Sequence, residues 1–158
     1  MTSDANAHEE KASFVPSSLP NAQLYKLVAG TVVPRPIGLI STISASGVAN
    51  VAPFSFFNVV SHSPPVVMFS AGMNLGRTKD TLVNVRATGE FVVNIVTESI
   101  AKAMSVCASA YPPDTNEFLE SGLTPAQAHV VSAPMVAQSP VNFECRLVHI
   151  LPIDRSEY

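Results

Sequence analysis

Three short segments contain residues whose types and spacing suit the binding of a planar, anionic ligand. The first is the triplet Pro34-Arg35-Pro36. The two prolines fix the backbone on both sides of one arginine, and a rigidly held guanidinium suits a planar anion or the edge of a ring. A proline turn on the surface is the alternative interpretation.

The second segment, residues 50–58, combines amides, small residues, a proline and several phenylalanines. Pro53 cannot donate to a β-ladder, so a strand here should be an edge strand, bulged or broken, which turns backbone groups toward a ligand. A flat heteroaromatic ring with hydrogen bonds at its edge would fit beside such a strand. The alternative is an ordinary core strand. The residues concerned are Asn50, Ala52, Pro53, Ser55, Phe56, Phe57 and Asn58.

The third segment leads into a predicted helix over residues 80–87. The start of a helix offers unbonded N–H groups and the positive end of the helix dipole, both of which favour phosphate. Arg77, Lys79 and the Thr81 hydroxyl reinforce that preference. Asp80 suits phosphate poorly, so we expect it to cap the helix or to hold Lys79 or Arg77. A capped surface helix is the alternative.

The distribution of charge agrees with an anion pocket in the middle of the chain. The chain has 9 Lys and Arg, 12 Asp and Glu, and a formal net charge of -3. No carboxylate occurs between Lys11 and Lys79, and residues 12–110 contain six cationic against three acidic side chains. A phosphate ester carries about -1.5 to -2 charges, which carboxylates would repel. A chance gap in a chain poor in charge is the alternative.

Several classes of function are disfavoured. The overall charge gives no footprint for nucleic acid. The glycine-rich dinucleotide and P-loop motifs, the GxSxG nucleophile elbow and the usual spacings of metal ligands do not occur, so we predict no metal site. Without an export signal, we expect the two cysteines to be reduced. These cysteines are Cys107 and Cys145, and the histidines, scattered without a local motif, are His8, His62, His129 and His149.

The 158 residues fit one domain, preceded by a mobile tail over residues 1–19, with the domain over residues 20–158. Hydrophobic residues make up 47% and charged residues 13%. No apolar run reaches the roughly 18 to 20 residues that cross a bilayer, and residues 1–10 do not form an export signal. We therefore expect a soluble, cytoplasmic protein without membrane contact.

The elements that must position the three segments are short strands with inserted helices. The spacing of apolar residues predicts helices over residues 22–29, 80–87, 98–108 and 115–121, with Gly30 and Gly122 as stops. Strands are predicted over residues 37–43, 48–60, 66–69, 91–96 and 141–151, with turns at 44–47 and 61–65. Antiparallel strands joined by turns indicate an α+β, mainly β domain built on a small barrel.

Taken in this order, the segments resemble the flavin reductase-like family of FMN-binding split barrels. The likeness covers residues 24–151. The matching stretches are Pro34-Arg35-Pro36-Ile37, Ser41-Thr42, residues 50–58, Pro64-Pro65, Lys79-Asp80-Thr81, Gly89-Glu90-Phe91-Val92-Val93-Asn94, Ala133-Pro134, Ser139-Pro140-Val141 and Glu144-Cys145.

The resemblance implies a homodimer with FMN close to the subunit interface. Its phosphate would lie near Arg35 and the start of the helix at residue 80, and residues 50–58 would line the isoalloxazine mostly through backbone, with Ser41 and Thr42 nearby. From the segments and the resemblance together, the predicted FMN-binding residues are Arg35, Pro36, Ser41, Thr42, Asn50, Ala52, Pro53, Ser55, Phe56, Phe57, Asn58, Arg77, Lys79, Asp80 and Thr81.

The activity that the resemblance implies is hydride transfer from NADH or NADPH to flavin. Because that chemistry belongs to the cofactor, we predict no catalytic acid or base side chain. One alternative is a non-enzymatic FMN protein that serves as an electron carrier or flavin-binding module. Another is oxidation of a pyridoxine-like phosphate ester, a function that fits residues 50–58 less well.

One departure from the family concerns the end of the domain. In the family a further strand follows the one that matches residues 141–151 and helps to close the barrel. An unpaired barrel edge is a liability. The sequence is therefore consistent with a domain truncated at its C-terminal end, with a closing strand from elsewhere, or with a shortened closure by residues 153–158.

Overall fold

A four-stranded antiparallel sheet lies at the centre of the fold. The computed structural model describes residues 11–74, 76–113 and 115–153. The strands are β1 (Gly38–Ile43), β2 (Ala49–Phe54), β3 (Phe57–His62), β4 (Pro65–Phe69), β5 (Met73–Asn74), β6 (Arg77–Thr78), β7 (Glu90–Ile95), β8 (Pro125–Ala126), β9 (Met135–Val136) and β10 (Asn142–Arg146). The helices are α1 (Asn21–Thr31), α2 (Asp80–Thr88), α3 (Ala101–Val106) and α4 (Glu117–Ser121).

The central sheet has the strand order β10-β7-β1-β2, so β2 is an edge strand. This position agrees with Pro53, which lies in β2 opposite Leu39 and has no N–H to give to a further strand. The chain then bends at residues 55–56, so the predicted strand over residues 48–60 is two strands, β2 and β3. Both outcomes are among those that the proline predicts.

The predicted turn between β1 and β2 is confirmed. Gly47 N–H donates to the Ser44 carbonyl at 2.9 Å, and Ser44 N–H donates to the Val48 carbonyl at 2.8 Å. Gly47 has a φ of 88°, a conformation that side chains with a Cβ adopt rarely. The remaining ladders are two-stranded pairs, namely β3 with β4, β5 with β6, and β8 with β9.

Apolar side chains fill both faces of the central sheet, because neighbouring residues of a strand point to opposite sides. On one face, Leu39 and Val51 pack with residues of the α3 and α4 region such as Phe118. On the other face, Ile40 and Phe54 pack with residues that include Val85 of α2. Helix α2 and the α3–α4 region therefore cover opposite sides of the sheet.

Two helices end at a glycine: α4 ends before Gly122, as predicted, and α2 ends at Thr88, one residue beyond the predicted end at residue 87. Gly89 follows α2 with a φ of 71°, and Gly122 follows α4 with a φ of 72°, the left-handed conformation that commonly ends helices. Helix α1 instead continues through Gly30, contrary to the prediction. Gly30 has no positive φ, and the Thr31 hydroxyl bonds back to the Leu27 carbonyl at 2.8 Å.

Two other predicted elements are too long. The helix over residues 98–108 is a 3-10 turn, Glu98–Ile100, followed by α3. The strand over residues 141–151 ends with β10 at Arg146, and beyond it the side chains of Val148 and Leu151 are exposed. The apolar residues after Arg146 do not alternate between core and solvent, so their apolar character alone does not indicate a paired β-strand.

The chain divides into two compact units, the first ending at Pro34 and the second beginning at Arg35. The first contains the 3-10 turn Pro16–Ser18 and α1, and the second contains the strands and the other helices. Residues 1–10 of the predicted tail, and residues 154–158 of the predicted closing segment, lie outside the described residues. Across the described ranges, no helix is long and apolar enough to span a membrane.

Candidate functional site

The register of β1 and β2 brings the first two predicted segments together. Gly38 lies opposite Phe54, so the residues just before β1 run alongside those just after β2. The Arg35 guanidinium carbon lies 5.7 Å from the centroid of the Phe56 ring, within the range of a cation–π contact. Pro36, between Arg35 and β1, is exposed.

The third segment meets the same strand through Lys79. The Lys79 ammonium nitrogen lies 4.9 Å from the centroid of the Phe54 ring. Asn50, Ala52 and Phe54 alternate along β2 and so share the face of the sheet that α2 covers. Ala52 is partly buried against the apolar cluster there. The sheet and α2 therefore place a cation beside the aromatic and small residues of β2.

The backbone N–H groups at the start of α2 are available to bind a ligand. Lys79 occupies the N-cap position, and its side chain makes no capping hydrogen bond. The first N–H groups of a helix have no acceptors within the helix, so those of Asp80 and Thr81 remain for another acceptor. The nine-residue helix also presents the positive end of its dipole here.

Asp80 takes one of the two roles that the sequence left open, because it pairs with Arg77. The Arg77 Nη2 to Asp80 Oδ2 distance is 3.5 Å, and the same nitrogen lies 3.4 Å from the Tyr111 carbonyl oxygen. Both side chains are partly exposed. The Asp80 carboxylate therefore faces the Arg77 guanidinium. Arg77 also links the residues before α2 to Tyr111.

A buried polar network lies beneath the start of α2. Its members are Thr42, Asn50, Thr81, Asn84 and Glu117, each with at most 6% of its surface exposed. The Thr81 hydroxyl donates to Asn50 Oδ1 at 2.9 Å, and Asn84 Nδ2 donates to the Thr42 hydroxyl at 3.0 Å. The Thr42 hydroxyl donates to Asn50 Oδ1 at 3.3 Å, so three predicted flavin-binding residues, Thr42, Asn50 and Thr81, are joined by hydrogen bonds. Their direct contact with flavin stays a prediction.

Asn84 and Glu117 are the two network members that the sequence prediction missed, and Glu117 is the one with a carboxyl group. Burial raises the pKa of the Glu117 carboxyl, and the Asp80 carboxylate adds to that rise, while hydrogen bonds that include those from Val51 N–H and Asn50 lower it. Its oxygens accept from Asn50 Nδ2 at 2.8 Å and Val51 N–H at 3.3 Å. A carboxylate inside the short helix predicted over residues 115–121 gives no local signal of burial, since tertiary packing decides it.

Ser41 faces away from Thr42, because adjacent strand residues point to opposite sides of the sheet. Its hydroxyl donates to the Pro134 carbonyl and accepts from Asn94 Nδ2, the latter at 3.0 Å. Asn94 also accepts from Val136 N–H at 2.8 Å. Ser41 therefore anchors the segment before β9, and its contact with flavin stays a prediction.

The remaining predicted residues lie at the bend after β2. Ser55 and Phe56 form the bend, with Ser55 partly buried and Phe56 exposed. The Phe57 ring is buried against Gly38, where an added Cβ would approach the ring carbons to 2.8 Å. Asn58 is exposed, and its side-chain oxygen accepts from Val59 N–H at 2.8 Å. Ser55, Phe56 and Asn58 are thus the members of this group with surface that a ligand could reach, whereas Phe57 belongs to the core.

Two further carboxylates fasten a loop to the sheet. Glu144 of β10 accepts from the N–H groups of residues 129–131, with the Val130 bond at 2.6 Å. Glu90 of β7 accepts from the N–H and the hydroxyl of Ser132 at 2.8 and 2.7 Å. These bonds hold the pKa of each carboxyl below its ordinary value. This loop, residues 129–132, leads to Pro134, whose carbonyl accepts a hydrogen bond from the Ser41 hydroxyl of β1.

The two cysteines and His62 are not members of the buried polar network. Burial raises the pKa of the Cys107 thiol, and burial raises that of Cys145 to about 11. Neither forms a disulfide. His62 is exposed at the end of β3. Within the described part of the chain, no group of three or more His, Cys, Asp or Glu side chains could hold a metal ion.

Comparison with known proteins gives the family. A family model described as "Flavin reductase like domain" matches residues 29–157. A protein of Aquifex aeolicus is 48% identical over 141 residues, which are 89% of this chain and 72% of the relative. The chain therefore belongs to the flavin reductase-like family.

Solved structures give the fold. Nitrilotriacetate monooxygenase component B from Bacillus cereus is 34% identical, with a TM-score of 0.89 over 92% of this chain and 72% of that one. A Shewanella frigidimarina protein described as having a split barrel domain is 23% identical, with a TM-score of 0.73 over 85% and 66% of the two chains. The predicted split barrel is confirmed.

Proposed function

We propose that this chain binds FMN and acts as an oxidoreductase that transfers hydride from NADH or NADPH to flavin. The observation that carries the proposal is the position of Lys79. This cation stands at the uncapped start of α2 and over Phe54, the last residue of the edge strand that contains Pro53. Membership of the flavin reductase-like family supports the same function.

The residues present fit FMN at both of its ends. Lys79 and the first N–H groups of α2 supply charge and donors for a phosphate. Arg35, which stacks over Phe56, supplies a second cation. Ala52 and Ser55 are small and only partly buried, so a flat ring can approach the backbone beside them. Pro53 keeps a further strand from occupying that edge.

Bound FMN supplies the acceptor for hydride, and this chain supplies binding and orientation. Lys79 and the start of α2 hold the phosphate, and β2 with its following bend holds the ring at a fixed position. No side chain of the site donates or removes a proton. The most deeply buried carboxyl nearby, that of Glu117, is already engaged by Asn50 and Val51.

The test is an anaerobic assay of the purified chain with FMN and NADH or NADPH. We expect catalytic loss of the visible flavin absorbance. A bound flavin that stays oxidised would instead indicate an electron carrier or flavin-binding module, and absence of binding would refute the proposal altogether. Ser55→Trp tests the position of the ring, because a bulky side chain at this partly exposed bend should block flavin binding and leave the core intact.

We also propose that the chain forms a homodimer through the β3–β4 sheet. Val59, Val60 and Met68 on these strands are each more than half exposed. A two-stranded sheet with apolar residues on its surface is typical of an interface. Sedimentation equilibrium should give a dimer for the wild-type chain and a monomer for Met68→Lys. A monomeric wild type would contradict the proposal.

A further inference from the structure

The hydrogen bonds of the buried network all run in one direction, toward Glu117. Asn84 Nδ2 donates to the Thr42 hydroxyl, and that hydroxyl donates to Asn50 Oδ1 at 3.3 Å. The Thr81 hydroxyl donates to the same oxygen. Asn50 Nδ2 then donates to Glu117 Oε1. The chain of donors therefore ends on a group that accepts.

Both Glu117 oxygens act as acceptors, which is the pattern of an ionised carboxylate. Oε1 accepts from Asn50, and Oε2 accepts from Val51 N–H. This arrangement fixes the orientation of the Asn50 amide, because its NH2 group must face the carboxylate and its oxygen must face the two hydroxyls. An apolar residue at position 117 would be cheaper to bury but could not impose that orientation.

The network connects α4 with both halves of the candidate site. Asn50 lies in β2, two residues before Ala52 and four before Phe54, the residue under Lys79. Thr81 lies in the first turn of α2, two residues after Lys79. The Asn50 amide is therefore the point at which the start of α2 is fastened to β2.

We propose that Glu117 is a positioning residue of the flavin site. By holding the Asn50 amide, it fastens the Thr81 hydroxyl, and with it the start of α2, at the position where Lys79 and the first N–H groups meet the flavin phosphate. This inference rests on the proposed function, because it concerns the phosphate end of the same site.

A positioning role for Glu117 predicts different changes in affinity for two flavin ligands. FMN carries the phosphate and riboflavin lacks it, so loosening the start of α2 weakens FMN binding and leaves riboflavin binding nearly unchanged. A role in folding alone would lower thermal stability and leave both affinities of the folded protein as they were. Collapse of the pocket would weaken both ligands together.

The first experiment measures both affinities for Glu117→Gln by quenching of flavin fluorescence. The NH2 group of the new glutamine side chain must face one of the two donors, so one hydrogen bond is lost. We expect roughly five- to tenfold weaker FMN binding and less than about a twofold change for riboflavin. Glu120→Gln, on the exposed side of α4, is the control and should bind both ligands like the wild type.

The second experiment exchanges the two polar partners. Asn50→Asp alone sets two carboxylates against each other and should weaken FMN binding by roughly tenfold or more. In Asn50→Asp with Glu117→Gln, the glutamine NH2 can donate to the new aspartate while its oxygen accepts from Val51 N–H. We expect this double variant to recover FMN affinity to within about threefold of the wild type.

Thr81 provides a test that avoids a change of charge. Thr81→Val keeps the shape and removes the donor to Asn50, whereas Thr81→Ser keeps the hydroxyl. The valine variant should lose FMN affinity but not riboflavin affinity, and the serine variant should lose neither.

Three outcomes would overturn the inference. They are a double variant as weak as the sum of its single changes, equal losses for FMN and riboflavin, and equal affinities for the valine and serine variants. A wild-type chain that binds no FMN would refute the proposed function itself, which the first titration decides before any variant is made.

Discussion

Replacing Lys79 with alanine should weaken the binding of FMN and leave the binding of riboflavin almost unchanged. Lys79 stands at the N-cap position of α2 with its ammonium nitrogen 4.9 Å from the Phe54 ring centroid. A lost hydrogen bond to a charged group costs about 1.5 to 3 kcal/mol. That cost corresponds to roughly a 10- to 150-fold rise in the Kd for FMN.

The same change should leave the protein folded. The cation–π contact with Phe54 contributes about 0.5 to 1 kcal/mol, a small part of the roughly 5 to 15 kcal/mol that stabilises a domain. Removing the ammonium group also exposes no buried polar partner, because the Lys79 side chain makes no capping bond. Loss of FMN binding would therefore report on the site and not on unfolding.

The assay is titration of the flavin-free protein with FMN and with riboflavin, followed by fluorescence. Lys102→Ala, which removes an exposed lysine from α3, is the matched control and should change neither Kd. Equal losses for the two ligands would mean that Lys79 supports the ring pocket. An unchanged Kd for FMN would remove Lys79 from the phosphate site.

Three other predictions concern the scaffold. Gly38→Ala should lower stability by about 1 to 3 kcal/mol in chemical denaturation, because the new Cβ meets the Phe57 ring at 2.8 Å; an unchanged midpoint would contradict this close packing. Glu144 has a lowered pKa in the fold, so its contribution to stability should be present above its ordinary value of 4.5 and be lost as the pH falls through the folded value. Melting temperatures across this range should show a flatter acid limb for Glu144→Gln, and identical limbs would refute the role of its bonds to residues 129–131. Cys145, with a pKa of about 11, should react with a thiol reagent at neutral pH far more slowly than free cysteine, and labelling at the rate of the free amino acid would contradict its burial.

Local signals in the sequence were sufficient for the elements that local chemistry controls. The end of α4 at Gly122 follows from glycine in the left-handed conformation, and Gly89 ends α2 in the same way although the prediction did not name it as a stop. The edge position of β2 follows from Pro53, which cannot serve a central strand. The short ladders β5–β6 and β8–β9 could not be predicted, because two residues per strand show no period.

The candidate site could be predicted in part for the same reason. Lys79 and the helix start are contiguous in sequence, so their chemistry is visible there. The period-two alternation of a strand is also enough to place Ser41 and Thr42 on opposite faces of β1. Glu117 could not be found, because its partner Asn50 is 67 residues away and only the packing of α4 on β2 brings them together.

A crystal structure of the chain with FMN tests the central claim most directly. We predict the flavin phosphate within hydrogen-bonding distance of Lys79 Nζ and of the first N–H groups of α2, with the ring beside Pro53 and Ser55. A phosphate bound elsewhere, or no flavin at a saturating concentration of FMN, would contradict the account.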